Sequence, residues 1–146
     1  MEKPNIFLFV LDTARAKNLS PYGYERDTTP FLNECAEKGY IFENAVANSI
    51  WTYPSHVSMF TGMYPYEHER LSKYDRGKIF SESFTDKLSE KGYETIGISN
   101  NGWVSSEFGF EGFFDQFEMK ESENDYLFDN APLLQEFEER HGEEDW

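Results

Sequence analysis

The sequence predicts an α/β fold, a mostly parallel sheet flanked by helices, and three observations carry that prediction. Residues 6–11, Ile-Phe-Leu-Phe-Val-Leu, form an unbroken apolar run, the pattern of a strand covered on both faces. Two segments downstream open on Pro30 and on Ser81 or Ser83, and each closes on Lys-Gly, the usual punctuation of a helix. A second short run, Thr95-Ile96-Gly97-Ile98, follows the second helix as another strand. Strand, helix, helix, strand at these spacings is the order of an α/β domain.

Composition sets the outer limits. A chain of 146 residues is long enough for one domain with a real core but not for two. The 18% aromatic content supports a packed interior rather than disorder. The 28 carboxylates outnumber 13 Lys plus Arg, giving a net charge of -15, which argues against a nucleic-acid partner. It fits a solvated acidic surface of the halophilic kind, where salt screens the self-repulsion. Cys35 is the one cysteine, so no intramolecular disulfide and no cysteine metal site can form. Its neighbours Phe31, Leu32 and Ala36 predict a buried thiol. The apolar run near the N-terminus is too short to span a bilayer and lacks the flanks of a secretion signal. The expectation is a cytoplasmic protein with no membrane partner.

Along the chain, Asp12 follows the first run, at the carboxyl edge where open α/β sheets bind ligands. It reads either as a ligand-site carboxylate or as a turn cap. Ser20 to Tyr24 is a turn-rich loop. The first helix runs from Pro30 to Lys38, and the segments 40–42 and 45–47 read as extended. Next comes Trp51-Thr52-Tyr53-Pro54-Ser55-His56, opening a helix that Gly62 closes. Thr52 just ahead of it is either an ordinary N-cap or a hydroxyl where free N–H groups favour an anion. Residues 64–70 read as a polar aromatic loop with His68 solvated, and 71–79 as an exposed connection. In the second helix Phe84 and Leu88 share a face. Asn100 and Asn101 read as turn formers before Gly102. Residues 103–117 read as an ordered loop with several buried rings. Ten carboxylates against Arg140 mark 121–146 as a solvated acidic segment, with a weak helix face at Leu133, Leu134 and Phe137. The expected organisation is an α/β part over 1–120 and this acidic segment over 121–146.

Several of these segments, in order, resemble the N-terminal part of the sulfatase family, within the alkaline-phosphatase-like superfamily. Pro4 to Asp12 is similar to the family's first strand and metal-binding aspartate. Thr29-Pro30-Phe31-Leu32 through Gly39, Phe42, Asn44 and Ala45 resembles its first helix and following strand. Thr52-Tyr53-Pro54-Ser55-His56, with Thr61-Gly62 and Tyr64-Pro65, resembles the Cys/Ser-x-Pro-Ser-Arg signature and its tail. Gly92-Tyr93-Glu94-Thr95, Gly109-Phe110 and Phe114-Asp115-Gln116-Phe117 also fit.

The resemblance implies a metal-dependent hydrolase of sulfate or phosphate esters acting on a small anionic ester. Asp12 would ligate a divalent cation, Ca²⁺ first, with Mg²⁺, Mn²⁺ or Zn²⁺ also suited to oxygen ligands. Thr52 would hold the nucleophile position, a poor nucleophile unless a metal or base removes its proton. His56 stands where the signature has Arg, exchanging a fixed cation for a general base or ligand. Asn101, in a remnant of a later Gly-Lys-Trp-His element, would contact the substrate anion. Thr52 carries a methyl on its β-carbon, so no formylglycine is expected, which favours the chemistry of phosphodiesterase-type relatives. Asp12-Thr13 replaces an Asp-Asp pair, and further ligands lie beyond this region in the family. The implied fold is therefore incomplete, and a C-terminal completing chain or region is an implied partner. The alternative is a non-catalytic α/β module that binds an anion or a partner chain.

Overall fold

The computed structural model describes residues 3–119. The acidic segment 121–146, with its expected helix face, lies outside the described residues. The fold is α/β, with helices and single helical turns beside a parallel pair of strands. The chain divides into two compact units, one Ile6–Ala47, the other Met1–Asn5 with Asn48–Trp146.

The Ile6–Ala47 unit corrects two expectations. The apolar run 6–11 forms no strand, and all six side chains are exposed, with Phe7 stacked on Phe9 at 6.1 Å. A buried parallel strand needs ladder neighbours and covering helices. Within this unit the run pairs with none, and no residue of the unit is buried. The predicted helix forms as α1, Pro30–Lys38, with Pro30 in its first turn and Gly39 beyond its end. Cys35 is nevertheless exposed, because the apolar face that carries Phe31 has no second layer upon it. Between the segments 40–42 and 45–47 the chain turns at 43–44. The loop before α1 is tied down by Ser20, whose Oγ accepts the N–H groups of Thr28 and Thr29 at 2.9 and 3.1 Å.

The second unit is built on α2, Thr52–Thr61. Tyr53, Val57 and Phe60, at three- and four-residue spacing, face a core completed by Ile79, Phe108, Phe110 and Phe113. Burying each such ring is worth about 1.5–3 kcal/mol, so these rings dominate the unit's hydrophobic stabilisation. Helix α3, Pro65–His68, follows directly. The stretch 71–79 is less exposed than expected, since Ile79 is buried in that core. It is held by Arg70, which donates to the carbonyls of Asp75, Arg76 and Lys78, and by Tyr53, whose hydroxyl donates to the Asp75 carbonyl at 2.7 Å.

The second predicted helix forms as α4, Phe84–Glu90. Ser83 is its N-cap: Ser83 Oγ accepts the Asp86 N–H at 3.1 Å, and Asp86 Oδ2 accepts the Ser83 N–H at 2.7 Å. Strand β1, Ile96–Ser99, lies parallel to β2, Gln116–Met119, with Ile96 opposite Gln116. The connection between them runs through single helical turns that bury Phe108, Phe110 and Phe113, the ring-rich loop expected from sequence. Gly97 is a glycine for a packing reason, as a Cβ there would sit 2.6 Å from the Phe114 ring. Where the strands begin, Asp115 Oδ2 accepts from the Thr95 N–H, the Thr95 hydroxyl and the Ser89 hydroxyl at 2.8, 2.8 and 3.0 Å.

Candidate active site

The start of α2 bears on one of the two readings of Thr52, that of an ordinary N-cap. Trp51, in extended backbone, is the N-cap, and Thr52 is the first helical residue. Thr52 is therefore not the cap; its half-buried side chain stands in the first turn, where orphan N–H groups and the helix dipole favour negative charge. One turn on, buried His56 places Nδ1 2.9 Å from the Thr52 carbonyl. A carbonyl only accepts, so Nδ1 is the N–H donor of this bond, and Nε2 is the ring nitrogen it leaves for another partner.

Asn101 lies just beyond the carboxyl end of β1, in a turn that its own side chain closes. Its Oδ1 accepts the Trp103 N–H at 2.9 Å, and its backbone carbonyl accepts the Val104 N–H at 2.8 Å. Trp103 in turn meets Trp51 edge to face, with ring centroids 5.2 Å apart. Thr52 and Asn101, 49 positions apart in sequence, thus border one pair of indoles.

Asp12 belongs to the other unit, Ile6–Ala47. It sits in a tight turn closed by the Ala14 N–H on the Leu11 carbonyl at 3.2 Å. The next residue, Thr13, has φ 65, a left-handed conformation that costs a β-branched residue about 1–2 kcal/mol. The Asp12 carboxylate is a hard oxygen donor of the type divalent cations take. Among the described residues no three His, Cys, Asp or Glu side chains converge as a metal ion requires. The described part therefore does not build a metal centre.

Sequence reasoning misplaced one neighbour of the site. His68, read as a solvated loop residue between two glutamates, is buried, with Nε2 3.1 Å from Ser58 Oγ of α2. Its Nδ1 accepts the Arg70 N–H at 3.0 Å, which leaves the proton on Nε2 as donor. Ser58 is thus a hydrogen-bond acceptor here, not a hydroxyl primed for attack. The Pro65 helix start three residues earlier was the sequence signal that His68 lies on a helix.

The fold defines an α/β protein in which a hydroxyl at a helix start and an asparagine at a strand end border the same pair of indoles. The family model described as Sulfatase matches residues 4–140, and the chain belongs to the sulfatase family. It is 30% identical over 95 residues to an ulvan-active sulfatase of Formosa agariphila, covering 65% of this chain and 19% of that protein. An N-acetylgalactosamine-6-O-sulfatase of Bacteroides thetaiotaomicron is 33% identical over 99 residues, 64% of this chain and 19% of its own. An arylsulfatase of Clostridium perfringens is 35% identical over 95 residues, 64% and 20% respectively. The chain spans about a fifth of the length of these relatives. No solved structure matches it.

Proposed function

We propose that this chain is the N-terminal portion of a metal-dependent hydrolase of small sulfate or phosphate esters, working with a completing chain or region. The observation that carries the reading is the Trp51–Trp103 contact, which gathers the start of α2 and the Asn101 turn into one neighbourhood. In this reading the ester anion lies over the first turn of α2, with Asn101 donating to one of its oxygens. Thr52 Oγ1 bonds to the phosphorus or sulfur while the alcohol oxygen departs with the bonding electron pair. The Thr52 proton passes to His56 Nε2 and on to the leaving alcohol; a water oxygen then bonds to the phosphorus or sulfur as the bond to Thr52 Oγ1 breaks, its proton passing through His56 Nε2 to Thr52 Oγ1, and the anion is freed. Asp12 contributes one ligand toward a divalent cation, Ca²⁺ before Mg²⁺, Mn²⁺ or Zn²⁺, and the completing region contributes the others. Two facts support a completing region: the matches cover only 19% of the length of these relatives, and the apolar run 6–11 is exposed and resembles a sheet strand without its neighbours. A threonine nucleophile favours phosphate over sulfate esters.

The test is turnover of 4-nitrophenyl phosphate and 4-nitrophenyl sulfate by the chain joined to its completing region. Thr52→Ala and Asp12→Ala are each expected to abolish it, and an unchanged rate in either overturns the role given to that residue. Absence of turnover with the completing region present would favour the non-catalytic module.

A further inference from the structure

We infer that Trp103 is a stacking surface for the ring of the ester's alcohol, the part of the substrate that departs. The inference deepens the proposed function, because it rests on the anion lying over the first turn of α2. Trp103 keeps 37% of its surface exposed although it is held on two sides. Trp51 meets it at 5.2 Å and 85°, and Phe108 at 5.0 Å and 52°. Its backbone is fixed as well. The Trp103 N–H is bound by Asn101 Oδ1, and Ser105 Oγ donates to the Gly102 carbonyl at 2.8 Å within the same turn. An exposed indole held this firmly has little freedom left to lose when a ligand covers it.

Its position adds to this. Trp51 immediately precedes Thr52, and Asn101 stands two residues before Trp103, so the exposed indole borders the proposed anion site. Charge points the same way. In a chain of net charge -15, long-range electrostatics offer an anionic ester no attraction. The neutral half of the substrate must then supply much of the affinity, and an indole face suits a flat aryl ring or the C–H face of a sugar ring.

Titration of the full chain with inorganic phosphate and with phenyl phosphate tests it by calorimetry. Phenyl phosphate is expected to bind about three- to tenfold tighter. Trp103→Leu, which keeps apolar bulk against Trp51 and Phe108, should bring the two probes to parity, and Trp103→Phe should restore part of the preference. In the unsubstituted chain, the Trp103 indole N–H resonance should move with phenyl phosphate and stay with inorganic phosphate. Parity of the probes in the unsubstituted chain, or a preference that survives Trp103→Leu, overturns the stacking surface alone. Failure of inorganic phosphate to bind overturns the anion site, and the inference with it.

Discussion

His68 Nε2 lies 3.1 Å from Ser58 Oγ, and both side chains are buried, so one neutral imidazole fastens α3 to α2. Burial pushes the His68 pKa below its ordinary 6.5; the nearby Arg70 charge adds to this, while the Pro54 carbonyl and Glu67 oppose it. The unfolded chain therefore binds the proton more readily than the folded one. Stability is expected to be full above pH 6.5 and to fall as pH drops through the range just below it. Urea midpoints measured between about pH 7.5 and about pH 5 check this, and His68→Gln should flatten that part of the profile. His68→Ala leaves Ser58 buried without this donor and should cost about 1–3 kcal/mol.

Gly109 has φ 86, and a Cβ there would lie 2.3 Å from the Gly77 carbonyl oxygen. Two backbones approach at that point, and the Gly77 N–H donates to the Glu107 carbonyl at 2.8 Å close by. Gly109→Ala should cost roughly 2 kcal/mol or more. Gly62 has φ 71 at the end of α2 but open space around it, so Gly62→Ala should cost only about 1 kcal/mol. Thermal melts of the two variants side by side distinguish crowding from backbone strain alone.

Asp115 binds the starts of β1 and β2 together and reaches Ser89 of α4. Hydrogen bonds from the Thr95 N–H, then the Thr95 and Ser89 hydroxyls, hold its carboxyl below the usual 3.8. Its folded pKa is depressed, so its contribution is present above 3.8 and is lost as pH falls below that value. Asp115→Ala should lower the melting temperature at neutral pH and remove this acid-side loss. The His68 and Asp115 effects occupy separate pH windows, so a single pH series resolves both.

The net charge of -15 predicts that KCl stabilises the chain by screening repulsion among its carboxylates. The melting temperature should rise from about 0.1 M to about 2 M KCl. Equal or better stability at low salt would refute the halophilic reading.

Much of the architecture was legible because local rules decide it. Pro30 and Gly39 bracket α1, and Ser83 opens α4, since caps and φ preferences act within one turn. Strand β2 was not legible. Four residues, Gln-Phe-Glu-Met, carry too little periodicity, and only pairing with β1 makes them a strand. The run 6–11 misled in the opposite direction: its composition suits a buried strand, but no neighbour in its unit pairs with it.

By itself the sequence determined the family, the α/β class, the acidic surface, and the hydroxyl, imidazole and amide at positions 52, 56 and 101. These follow from residue identity and short-range spacing. Tertiary structure alone decided that Thr52 is the first residue of α2 rather than its cap, and which nitrogen of His56 donates to the Thr52 carbonyl. It also decided that the Trp51–Trp103 contact brings the Asn101 turn beside the start of α2, and that His68 is buried against Ser58. Those outcomes depend on which distant segments share a core, and hydrophobic burial, being non-directional, leaves that choice to the packing of the whole unit.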